Sequence, residues 1–99
     1  MVKDKRYKAV KNLIESGHIT LFREIFDTLP KSVLAKDMGM NNYRFTNLMN
    51  NVESFLINDL FRIADFIETE KRKILEVVYN QYVADNKNKK RVTKNTRGA

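Results

Sequence analysis

Three residues, Gly17, Pro30 and Gly39, punctuate a chain whose apolar residues otherwise recur at helical spacing from Tyr7 to Val83. No four-residue stretch alternates convincingly between apolar and polar, so no segment is patterned to line one face of a sheet. That combination restricts the chain to an all-α fold. Tyr7, Val10, Leu13 and Ile14 form a first stripe, closed by Gly17, a residue suited to the left-handed end of a helix. His18 and Ile19 form a link, and Thr20 is placed to cap "LFREIFDTL", in which Leu21, Phe22, Ile25, Phe26 and Leu29 share a face. Pro30 ends that segment because its ring disfavours helical geometry at Leu29. A third helix is predicted over residues 31–38 and a fourth from the Asn41 cap to about Asn50. A fifth, about 56–67, would pack Leu56, Leu60, Phe61, Ile63, Ala64 and Ile67. The sixth would run from near Thr69 to about Val83.

A chain of 99 residues fits one domain, and at 42% apolar with ten aromatic residues it can build a core. Folding would bury roughly two-thirds of the surface its unfolded form exposes. It has no cysteine, which excludes disulfides, thiolate ligands and cysteine nucleophiles and suits a reducing cytosol. Nothing in it resembles a transmembrane span or a signal peptide. The formal charge of +7 is concentrated at the ends. Residues 3–11 hold five Lys or Arg against Asp4, and residues 85–99 hold six against Asp85. Residues 12–84 carry eight basic and ten acidic side chains, a net −2. Basic ends of this kind attract polyanions, nucleic acid above all, although a tail that serves only solubility has the same composition. After Asp85 the one bulky apolar residue is Val92, so residues 85–99 are predicted to be a disordered basic tail.

The stretch from Lys31 to Asn50 has the chemistry of two short helices packed steeply across a tight turn. Such a unit needs a small residue where the helices cross, a residue tolerant of positive φ in the turn, and apolar anchors on both inner faces. Counted from Lys31 as the first of twenty positions, Leu34 is fourth, Ala35 fifth and Gly39 ninth. Met38 and Met40 flank the glycine, and Phe45 and Leu48 are fifteenth and eighteenth. Chance would fill all seven positions on the order of once in a few hundred such chains. A plain αα-hairpin uses the same residue types.

Residues 31–67 resemble the helix-turn-helix of the lambda-repressor-like family, also called Cro/C1-type or XRE-type DNA-binding domains. "SVLAKDMGMNNYRF" carries the resemblance, and "LINDLFRIADFI" is similar to the leucine-and-alanine helix that follows the recognition helix in that family. The resemblance implies a compact bundle that sets its second motif helix in the DNA major groove, commonly as a dimer. It also implies phosphate contacts from Lys31 and Ser32. The chain departs from the family pattern in three ways. Two candidate helices precede the motif instead of one, and the sequence leaves open which of them corresponds to the family's first. Leu56 stands where a capping serine or threonine is usual, and the motif lacks strong positive charge, so phosphate attraction falls partly to the ends.

The second motif helix presents Asn42, Tyr43, Arg44, Thr46, Asn47 and Asn50 outward, with Phe45, Leu48 and Met49 inward. Asparagine can bond N6 and N7 of adenine together, arginine O6 and N7 of guanine, and the threonine methyl can meet thymine. The six outward residues are therefore candidate base contacts, with Asn41 read as a cap. Asn50 and Asn51 stand equally as contact or cap, and Tyr43 packing on its own bundle is the alternative to contact. Lys31, Ser32, Lys89, Lys90 and Arg91 are candidate phosphate contacts.

Catalytic chemistry has little to build on. His18 is the single histidine and lies in a link without a histidine or cysteine companion. Asp65 and Glu68 share a helical face, as solvated surface carboxylates often do, and no glycine-rich phosphate loop or nucleophile motif appears. No cofactor or metal is implied. In the last helix Ile74, Leu75, Val77, Val78, Tyr79, Tyr82 and Val83 cover about two-thirds of the circumference at ~100° per residue, where about a third suffices to join a core. A homodimer contact through residues 70–83 and a helix enclosed by its own bundle both account for the surplus.

The sequence thus predicts a compact all-α bundle of five to six helices containing a helix-turn-helix. Residues 1–84 would form the domain, with the motif at about 31–50, and 85–99 the tail. The function expected is sequence-specific double-stranded DNA binding by a transcriptional regulator or repressor, non-enzymatic and cytoplasmic, and nucleoid-associated when bound. The rivals are a protein-interaction module, such as an antitoxin or assembly factor, and a non-specific nucleic-acid binder.

Overall fold

The computed structural model describes the backbone of residues 3–97 and the side chains of residues 3–87. Helix α1 spans Arg6–Glu15, a 3-10 segment Phe22–Asp27, α2 Lys31–Met38 and α3 Asn42–Asn50. A 3-10 turn, Val52–Ser54, leads to α4, Ile57–Ile67, and α5, Lys71–Arg97. Among the described residues there is no strand, and the fold is the all-α bundle expected. No described helix is long and apolar enough to cross a membrane. Helix α4 packs on α5 and α1, α2 packs on α3 and α4, and α5 holds both 3-10 elements.

Local chemistry accounts for most boundaries. Asp4 opens α1: its Oδ1 accepts the Arg6 backbone N–H at 2.9 Å, and its carboxylate pairs with the Arg6 guanidinium at 2.8 Å. The Arg6 side chain, then its backbone N–H, hold the Asp4 pKa down to about 2. At the other end Gly17 takes φ 85°, and the N–H groups of His18 and Ile19 both return to the Leu13 carbonyl. The basic run at the N-terminus is therefore largely part of the folded body, not a separate arm, with Tyr7 and Val10 buried.

The second expected helix is a 3-10 segment instead. Thr20 does not cap it; Leu21 is extended, and the Glu24 carboxylate accepts the backbone N–H groups of Thr20 at 2.9 Å and Leu21 at 3.1 Å. Those two N–H bonds, Thr20 first, hold the Glu24 carboxyl below its usual range. Three-residue winding aligns i with i+3, which suits Phe22 and Ile25, both fully buried. Leu21 and Phe26 are only partly covered.

Helix α4 begins at Ile57, and Leu56 is 63% exposed at the extended cap position, not packed in the core as its hydrophobicity suggested. The end of α4 turns through Glu68 at φ 65°, where the N–H groups of Glu68 and Thr69 reach the Ala64 carbonyl. Lys3 Nζ donates to the Phe66 carbonyl and to Glu68 Oε2, both at 2.7 Å, and so ties the start of the chain to this turn.

Helix α5 continues past Val83. Ile74, Val77, Val78 and Gln81 face the core. Gln81 is the polar member of that row and is engaged at both ends of its amide: its Oε1 accepts the Arg23 backbone N–H at 3.2 Å and its Nε2 donates to Asp85 Oδ1 at 3.0 Å. The Arg23 guanidinium reaches the same carboxylate at 3.3 Å, and Asn80 Nδ2 donates to the Thr20 carbonyl at 2.9 Å. Helical backbone extends to Arg97, over most of the segment expected to be a disordered tail. Of that segment, residues 88–99 lie outside those whose side chains are described.

Candidate nucleic-acid interface

Helices α2 and α3 are joined by three residues. Pro30 precedes α2 with extended geometry, φ −57° and ψ 137°, and leaves Lys31 as the first helical residue. Leu34, Ala35 and Met38 are buried. The helix ends at Gly39, with φ 77° and ψ 25°. The Gly39 N–H donates to the Lys36 carbonyl at 3.0 Å and the Met40 N–H to the Ala35 carbonyl at 2.9 Å. These bonds use carbonyls that the end of a helix leaves free. A Cβ at Gly39 would meet nothing within 4 Å, so glycine serves the left-handed backbone here and not a close approach.

Asn41 then starts α3. Its Oδ1 accepts the Arg44 backbone N–H at 2.7 Å, the bond of an N-cap. Phe45 is fully buried within an aromatic cluster, its ring edge-on to Phe26 at 5.6 Å and to Phe55 at 6.0 Å. Phe22 closes the cluster, 5.4 Å from both Phe26 and Phe55. Edge-to-face pairs add about 0.5–1.5 kcal/mol each beyond buried area, so this one side chain fixes the rotation of α3. Leu48 and Met49 pack alongside, partly covered. Val52 and Phe55, which complete the floor beneath α3, were not singled out in the sequence, because they fall in the link between two predicted helices.

With Phe45, Leu48 and Met49 inward, ~100° per residue points Tyr43, Asn47 and Asn50 directly outward. Asn42, Arg44 and Thr46 flank that ridge. Tyr43 is 77% exposed, so it does not pack on the bundle. Asn42, Arg44, Asn47 and Asn50 are exposed and Thr46 partly covered. The asparagines divide by use. Asn41 is the cap, and Asn51 Nδ2 donates to the Asn47 carbonyl at 3.2 Å at the helix end. Among the described residues, the side-chain amides of Asn42, Asn47 and Asn50 make no hydrogen bond.

The charges divide in the same way. Lys3, Arg6, Arg23 and Lys71 are ion-paired with Glu68, Asp4, Asp85 and Asp65. Lys31, Lys36 and Arg44 have no carboxylate within 4.0 Å among the described residues. The one acid between Lys31 and Val52 is Asp37, and its Oδ2 accepts the Tyr7 hydroxyl at 2.6 Å. Burial, then that hydrogen bond, push the Tyr7 phenol above its ordinary pKa, so the bond keeps its proton and ties α1 to α2. Lys36 was not among the sequence candidates; its exposed place in the last turn of α2 distinguishes it. Ser32 is exposed beside Lys31 in the first turn of α2. Lys89, Lys90 and Arg91 lie outside the residues whose side chains are described.

The remaining polar residues do not converge. His18 Nδ1 lies 2.7 Å from Ser16 Oγ at the exit of α1. Asp65 and Glu68 are each engaged by a different lysine. No three His, Cys, Asp or Glu side chains are grouped to hold a metal ion among the described residues. Comparison with known proteins finds no matching family, no matching curated protein and no matching solved structure.

Proposed function

We propose that the chain is a sequence-specific DNA-binding protein, a transcriptional regulator or repressor, in which α2 and α3 act as a helix-turn-helix with α3 in the major groove. The observation that carries this reading is the outward ridge Tyr43–Asn47–Asn50. Neither amide makes a hydrogen bond among the described residues, on a helix rotated into place by buried Phe45 directly after a left-handed glycine turn. The outer face of a surface helix carries charged or polar residues, and the polar groups on this one match base edges. Asn42, Tyr43, Arg44, Thr46, Asn47 and Asn50 would contact bases. Lys31 and Ser32, at the start of α2, would contact phosphates, as would Lys89, Lys90 and Arg91. This function belongs in the cytoplasm, on the nucleoid. Selection from a random duplex pool tests it: an enriched motif supports base reading, and the absence of one supports a protein-interaction module or a non-specific binder.

The last helix supports a second element of the proposal, a homodimer through residues 70–83. Tyr79 is 65% exposed, Tyr82 41% and Val83 42%, beside partly covered Leu75, so the apolar surplus is not enclosed by the bundle. Leu75, Tyr79 and Tyr82 follow 4–3 spacing, the seam of paired helices. A two-fold dimer would favour a near-palindromic site with half-sites about one helical turn apart. Sedimentation of the protein free and on DNA decides this, and a monomer in both would exclude the dimer.

A further inference from the structure

We infer that the half-site read by α3 is rich in A·T pairs, with adenine as its principal recognised base. The inference rests on the base-reading role proposed above. Three of the six outward residues of α3, Asn42, Asn47 and Asn50, are asparagines whose amides make no hydrogen bond among the described residues. Asn41 and Asn51, which look the same in sequence, are occupied at the helix ends. A free amide can accept from adenine N6 through Oδ1 while it donates to N7 through Nδ2, a pairing that guanine cannot offer because its O6 is an acceptor. Tyr43, 77% exposed, and Thr46 supply apolar surface for the thymine methyl group on the partner strand. Arg44 is the one residue of α3 able to bind guanine bidentately, and it flanks the ridge instead of crowning it.

The absences point the same way. No acid lies between Asp37 and Glu53, so α3 has no carboxylate to accept from cytosine N4. Lys31, Lys36 and Arg44, unpaired among the described residues, give the surface the sign a phosphate backbone requires. Phosphate contacts carry no sequence information directly, which leaves the amides to supply discrimination.

The full chain should enrich, from a random duplex pool, half-sites in which A·T pairs predominate and at most one or two G·C pairs are fixed. Replacing the critical adenines by 7-deazaadenine removes N7 and leaves pairing intact. Wild-type affinity should fall about tenfold to a hundredfold at the most sensitive position. Asn47→Ala, at an exposed position that leaves the helix intact by circular dichroism, should lose little more on the substituted site at the adenine it reads. Uracil in place of thymine should produce a smaller loss by removing the methyl group. A G·C-rich motif overturns this inference while preserving base reading, and so does affinity within twofold of wild type after deaza substitution of every adenine. A pool that returns no motif overturns both.

Discussion

Gly39 holds φ 77° in open space, and that separates two reasons for a glycine. A side chain there would clash with nothing, so the cost of replacing it is confined to the backbone. Gly39→Ala should therefore destabilise the protein by about 1–2 kcal/mol, and Gly39→Asn by less, because asparagine tolerates the left-handed region. Urea unfolding of the two variants measures this; equal stability of Gly39→Ala and wild type would show that the turn relaxes. The same single-residue reasoning explains why α2 and α3 were legible in the sequence. Pro30, Gly39 and Asn41 each act through their own backbone or through a bond three residues away, so a local window contains the whole cause. Leu56 was misread because hydrophobicity does not say on which side of a helix start a residue falls, and an extended cap residue points away from the face that follows.

At the level of elements, the 3-10 segment Phe22–Asp27 was the least legible. Its stripe is equally compatible with an α-helix, and the difference lies in Glu24 turning back onto two N–H groups and in contacts from α5 almost sixty residues away. Gln81 makes one of those contacts and interrupts an apolar row, so sequence reasoning left it out of the core although it is 2% exposed. Gln81→Leu keeps about the same volume but leaves the Arg23 N–H without its acceptor and removes one of the donors to Asp85. A loss of about 1–3 kcal/mol in chemical denaturation is expected. Unchanged stability would show that the contact between α5 and the 3-10 segment rests on apolar packing alone. The outward ridge of α3, by contrast, was readable residue by residue, because the inward triad Phe45, Leu48 and Met49 sets the rotation of a short helix. What sequence could not separate was free asparagines from occupied ones, since Asn50 and Asn51 differ only in which side of the helix end they fall.

For the molecule as a whole, two groups stand out among the nineteen basic residues. Lys3, Arg6, Arg23 and Lys71 are spent on ion pairs within the fold, while residues 86–99 carry six more Lys or Arg with no acid among them. If those six serve the proposed function by neutralising phosphates, each contact adds about 0.9 to the magnitude of the log–log salt slope. Deleting residues 86–99 should then flatten the slope and weaken binding to all duplexes alike, with site preference unchanged. An unaltered slope would exclude a phosphate role for this segment. Base discrimination is assigned instead to the α3 ridge, and Asn47 lies at its centre. The most direct measurement is a paired titration of wild-type protein and Asn47→Ala on the selected site and on a random duplex at one salt concentration. A loss of about 1–3 kcal/mol is expected on the selected site and almost none on the random duplex. An equal loss on both duplexes would contradict base reading by α3.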